Sequence, residues 1–121
     1  FEHRSYADQL LRCQRYYFKF LEGNTKEIGS GWYYTATHMS FMMRYPTTMR
    51  ATPTGTDASG TNYYIIYRNG SYDNFDDFVF ENGSTEQFSC YNSSDVSGTA
   101  AQTGIVRSSS ASAKVEFDAE L

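Results

Sequence analysis

Leucine is scarce in this chain, and its 121 residues include only two prolines, two cysteines, two histidines and one tryptophan. No stretch approaches the roughly 18 apolar residues of a membrane-spanning helix, and no charged-then-apolar segment opens the chain. Neither membrane insertion nor a secretory leader is therefore expected. Lysine and arginine nowhere cluster, the net charge is −4 and the pI is near 5.0, which excludes the basic face that nucleic-acid binding requires. His3 and His38 have no second histidine or cysteine at metal-ligand spacing, and no G-x-S-x-G, HExxH or P-loop pattern occurs. The expectation is a chain with no catalytic residue, no cofactor and no enzymatic activity.

What the chain does have is aromatic side chains, at 17% of residues with tyrosine dominant, against 20% charged and a mean hydropathy of −0.59. The apolar payload sits in large amphipathic rings, and a composition rich in Tyr, Ser, Thr, Gly and Asn favours strands. The length suits one domain burying roughly two-thirds of its unfolded surface. Because the chain starts without Met, it is expected to be the terminal piece of a longer polypeptide.

Helical signals open the chain. Ser5 is a suitable N-cap, with Asp8 three residues on, and Leu10 and Leu11 give the short helix an apolar side. From Arg12 the period changes to two, as Tyr16, Phe18 and Phe20 alternate with Arg15, Tyr17 and Lys19. Residues 1–12 thus read as a short helix and junction, and residues 13–121 as the body of the fold. Glu22 to Gly31 reads as a polar loop, and Tyr33 to Tyr45 as one long strand with Met39, Phe41, Met43 and Tyr45 facing in. The segment from Tyr45 to Thr54 reads as an outer strand limited by Pro46 and Pro53. Asn62 to Arg68 is apolar on both faces and reads as a central strand. Asn69-Gly70 and Asn82-Gly83 read as turns. Further strands are expected at Gln87–Tyr91, with Phe88 and Cys90 inward, at Thr103–Arg107, and at Lys114–Leu121, with Val115, Phe117, Ala119 and Leu121 inward. Some seven short strands after one helix give the fold class: all-β, an antiparallel β-sandwich of jelly-roll-like type with one short N-terminal helix.

Cys13 and Cys90 both lie in runs read as strands, where cysteine is usually a small buried hydrophobe, and a disulfide between them does not follow from the count. Asp73, Asp76 and Asp77 crowd one segment, the type of oxygen-rich loop that holds Ca²⁺, although their spacing is not that of an EF-hand. The same segment offers Tyr72, Asp73, Asn74, Phe75 and Asp76 as a glycan-contacting set, since sugar C–H faces stack on aromatic rings while carboxylates and amides bond hydroxyls. Trp32 and Tyr33 form a second candidate set. The bland alternative for each is a core ring or a solvated loop. Asn69, Asn82 and Asn92 each head an N-glycosylation pattern and are read as turn residues.

The opening FEHRSYADQLLRCQRYY resembles a motif near the C-terminus of bacteriophage virion structural proteins, particularly tail-fibre-like and appendage proteins of marine phages. YPTTMRATPT in the middle and the terminal DAEL agree with it. Ala7 departs from that pattern, in which glycine is common, and the acidic segment from Tyr72 to Asp77 has no counterpart. The resemblance implies a β-sandwich closing a longer fibre polypeptide, a homotrimer, contacts to other virion proteins and location in the virion. Arg4, Tyr6, Leu10, Arg12 and Arg15 are then the candidate subunit interface, the arginines pairing with Glu2 or Asp8 of a neighbour. The expected function is binding of a host-surface glycan. The alternatives are a purely structural trimerisation, joint or capsid-decoration module, and a secreted carbohydrate-binding module.

Overall fold

The computed structural model describes residues 5–119; the expectations for His3, Arg4 and Leu121 fall outside them. The chain runs as α1 (Tyr6–Gln14), β1 (Tyr17–Glu22), β2 (Glu27–Thr35), β3 (His38–Arg44), β4 (Thr54–Asp57), β5 (Tyr64–Arg68), β6 (Ser71–Phe75), β7 (Val79–Glu81), β8 (Gln87–Asn92), β9 (Thr103–Ser108) and β10 (Lys114–Asp118). The expected all-β architecture with one short helix is what forms.

Ser5 caps α1, its hydroxyl accepting from the Asp8 backbone N–H at 3.2 Å. The helix runs to Gln14, two residues beyond the expected junction, because nothing in Arg12–Gln14 breaks it and sheet pairing begins only at Tyr17. Cys13 is consequently an exposed helical residue and not a strand residue, Cys90 is buried in β8, and both are free thiols.

The strands form two antiparallel sheets, one of three strands in the order β1-β10-β4 and one of seven in the order β6-β5-β9-β2-β3-β8-β7. The larger sheet must curl. Strands β6 and β3 are four places apart in it, about 19 Å across a flat sheet, yet the Phe41 and Phe75 rings lie 6.1 Å apart. The two edge strands are moreover joined through residues 76–78 alone. That link can reach at most ~15 Å, about half the ~29 Å that seven flat strands would occupy.

The small sheet packs onto the curled one through β10, whose Val115 and Phe117 are fully buried. The Phe117 ring lies 5.3 Å from Phe18 of β1 and 5.0 Å from Tyr45 just past β3. It also lies 5.7 Å from Phe80 of β7 and 5.8 Å from Phe88 of β8. A second ring cluster, Phe41, Tyr64, Phe75 and Phe78, fills the inside of the curl, with Tyr64 and Phe78 4.9 Å apart.

Several expected elements differ. The single strand over Tyr33 to Tyr45 is a hairpin that turns at Ala36 and Thr37. Its register pairs Tyr33 with Met39, two odd-numbered residues, and shifts by one only beside the turn, where Thr35 pairs with His38, so the inward odd positions from Met39 to Tyr45 come out as expected. The loop expected over Glu22 to Gly31 is half strand. Gly31 is present there because a Cβ would meet Val106 Cγ2 at 2.7 Å, so the residue marks close packing and not a turn. The Pro46–Pro53 stretch makes no strand; β4 starts just after Pro53 and is, as that proline suggested, an edge strand. The segment from Tyr72 to Asp77 is chiefly edge strand β6 and not a loop.

Candidate ligand-binding face

Successive residues of a strand point to opposite faces of the sheet, and this divides the expected glycan set. On β2 and β6, Tyr33, Asp73 and Phe75 turn into the curl, while Trp32, Tyr72 and Asn74 turn outward. Phe75 is fully buried, stacked on Tyr64 at 5.7 Å, and Tyr33 is fully buried as well, so neither offers surface to a ligand. Both belong to the core, as the bland alternative held.

Asp73 serves the fold. Its Oδ2 accepts from the Ser97 N–H at 2.6 Å and from the Tyr33 hydroxyl at 3.1 Å, with Arg68 Nη2 3.8 Å away. Arg68 in turn donates to the Tyr33 hydroxyl at 3.2 Å and to the Ser97 carbonyl at 2.7 Å. Burial raises the Tyr33 phenol above its ordinary value, opposed by the Arg68 hydrogen bond. The group pins the loop before β9 over one end of the curl. Asp76 is tied elsewhere, accepting from the Asn62 N–H at 2.8 Å, and Asp77 is exposed. Two of the three carboxylates expected to share a Ca²⁺ ion, Asp73 and Asp76, thus serve separate loops. Among the described residues no three histidine, cysteine, aspartate or glutamate side chains are grouped to hold a metal ion.

The outward face of the large sheet is unusual for a solvated surface. In one row Tyr72 of β6 pairs with Tyr67 of β5, which pairs with Ile105 of β9. All three are exposed. The two tyrosine rings are 5.9 Å apart, the Arg107 guanidinium lies 4.3 Å over Tyr67, and Arg107 pairs with Glu27 at 3.4 Å. The hairpin tip beside them turns on Asn69 (φ 51°) and Gly70 (φ 71°), the left-handed pair that an Asn-Gly two-residue turn supplies. An open pocket of about 410 Å³ lies there, between Tyr67 and Tyr72.

In the neighbouring row Trp32 of β2 pairs with Ser40 of β3, which pairs with Tyr91 of β8. Ser40 is the small floor of a trough whose walls, Trp32 and Tyr91, stand two strand spacings apart, ~10 Å. His38 closes one end, stacked on Tyr91 at 4.9 Å and edge-on to Tyr34 at 5.6 Å. Tyr34 is 71% exposed. Of the expected residues, then, Trp32, Tyr72 and Asn74 lie on this face. Sequence reasoning misses Tyr34, Tyr67, Tyr91 and Ile105, although the signal is available: rings and an aliphatic side chain at the outward positions of strands, where Thr, Lys or Glu would suffice.

The expected interface residues of α1 are also exposed, and no residue of this helix is buried. At 100° per residue Tyr6, Ala7, Leu10, Leu11 and Cys13 share one side. Arg12 pairs with Asp8 of its own helix at 3.5 Å, and Arg15 is the C-cap. Comparison with family models, with curated proteins and with solved structures returns no match to this chain.

Proposed function

We propose that this domain is a carbohydrate-binding module, carried as a homotrimer at the end of a virion fibre or appendage and directed at host-surface glycan. The observation that carries the binding reading is the outward aromatic face, above all Tyr67 and Tyr72 beside their pocket and Trp32 with Tyr91 across Ser40. Rings gathered on one exposed face are apolar surface that a ligand can cover, and sugar C–H faces are a chemistry that stacks on them. The serine floor and the tyrosine hydroxyls supply hydrogen bonds to sugar hydroxyls. Support for the appendage setting is the resemblance of the opening stretch. A glycan array and a whole-cell adsorption assay with the assembled protein test the reading; silence in both contradicts it.

A second reading, a structural trimerisation or joint module, is favoured by α1. A nine-residue helix is marginal in water by itself, and this one turns Tyr6, Leu10 and Leu11 to solvent. Such a side is suited to packing against sister subunits. Light scattering tests the helix: a trimer reduced to monomer by Leu10→Glu supports an assembly role, and a wild-type monomer contradicts it together with the trimer of the first reading, while glycan binding separates the two readings.

A further inference from the structure

The two aromatic patches of the outward face are usually the kind of feature assigned to one small ligand each, but their arrangement carries more. The first lies on β5 and β6, the second spans β2 to β8. From Tyr72 on β6 to Trp32 on β2 is three strand spacings, about 14 Å. Between them the sheet offers Ile105 and Thr103 of β9 and Ser30 of β2, with Arg107 of β9 drawn over Tyr67 at one side. The result is a continuous track running across the strands with stacking rings at both ends.

Charge narrows the occupant. Among the described residues the ion pair on the track is Arg107 with Glu27 at 3.4 Å; the guanidinium lies over the Tyr67 ring, and its Nε is buried without a hydrogen-bond partner. The chain as a whole carries −4. A uronic or sialic acid polymer would meet, among the described residues of the track, a cation already paired with Glu27 and a repelling net charge of −4 around it, while a neutral chain loses nothing. A periodic neutral polymer also presents a C–H face at regular intervals, which suits two ring platforms at fixed separation.

We propose that the track binds a neutral, unbranched polysaccharide strand laid across the sheet, both patches stacking on the same chain. This rests on the carbohydrate-binding reading above and specifies its ligand class. The second patch then acts at high effective concentration once the first is engaged. Short sugars reach one patch, and longer ones reach both.

The test is calorimetric titration of the full chain with neutral gluco- and manno-oligosaccharide ladders, from the disaccharide to about the hexasaccharide, beside a uronic-acid ladder. Affinity for one neutral ladder is expected to step up by at least about tenfold once the sugar is long enough to span ~14 Å, and not for the acidic ladder. Trp32→Ala and Tyr72→Ala, both of exposed side chains, are each expected to abolish the step while leaving disaccharide binding weak but measurable. Equal affinity at all lengths overturns the two-patch proposal and leaves a one-patch carbohydrate module standing. Preference for the acidic ladder overturns the neutral assignment. No binding of any sugar, with far-ultraviolet circular dichroism showing a folded chain, overturns both this proposal and the function it rests on.

Discussion

Phe117→Ala tests whether the small sheet and the curled sheet share one core. The ring is fully buried on β10 and touches Phe18 within its own sheet. Across the interface it touches Phe80 at 5.7 Å and Phe88 at 5.8 Å. Truncation removes the transfer free energy of the ring and opens a cavity that five surrounding rings, Phe18, Phe20, Tyr45, Phe80 and Phe88, cannot all collapse into. Phe→Ala in such a setting costs about 3 to 5 kcal/mol, and aromatic pairs add ~0.5 to 1.5 kcal/mol each beyond area, of which only part is separable. The expected loss is about 4 kcal/mol, or roughly 12 to 20 °C in Tm for a domain of this size. Phe117→Leu, which keeps most of the volume, should lose about a third as much. Urea unfolding followed by tyrosine fluorescence and by far-ultraviolet circular dichroism measures both. A loss under ~1 kcal/mol for Phe117→Ala, or two separate transitions in which the large sheet is unaffected, would refute the shared core.

Three further outcomes follow from local geometry. Asp57 is part-buried with an oxygen that has no partner, and burial, then Asp77, raise its carboxyl above the ordinary range. The folded state therefore holds its proton more tightly than the unfolded one, and stability falls as pH rises from the ordinary carboxylate value through the raised one. Asp57→Asn should gain on the order of 1 kcal/mol at pH ~7, discounted for the solvent that reaches the site, and nothing at pH ~3; urea melts at both pH values check this. Gly31→Ala puts a Cβ 2.7 Å from Val106 Cγ2 and 3.2 Å from the Ser40 carbonyl oxygen, and should cost about 1 to 3 kcal/mol in the same melts. Asp73→Asn leaves Arg68, whose side chain is only 16% exposed, without its carboxylate. The loop before β9 should then open at a cost of about 1 to 3 kcal/mol, visible as faster amide exchange at Ser97 than in the wild type.

How much of this was legible in the residues depended on what each signal measures. Period two named the inward residues of β3, β8 and β10 correctly, from Met39 to Phe117, because it reports which side of a pleat is buried. It missed the Ala36–Thr37 turn because the pairing of Gly31–Tyr33 with Met39–Phe41 keeps the same parity in both arms, the shift at Thr35 and His38 being confined to the turn, and no Gly, Pro or Asn marks the place. Gly31 was read as loop because a glycine required by close packing looks in sequence like one required by a turn. The candidate site was half legible. Asp73 to Asp76 looked like a binding loop because acidic and aromatic residues were adjacent in sequence, but strand geometry separates adjacent residues onto opposite faces. Rings that do share a face, such as Trp32 and Tyr91, come together only through pairing across β3, which no local window contains.

Trp32 is the chain's one tryptophan and stands on the proposed binding face. Its fluorescence is therefore a direct reporter of that face. Titration with a neutral oligosaccharide long enough to span both patches is expected to shift the emission to the blue and saturate, with the shift lost in Tyr91→Ala. An emission spectrum that stays unchanged across the neutral ladders, in a chain that is folded, contradicts the claim that carbohydrate stacks there.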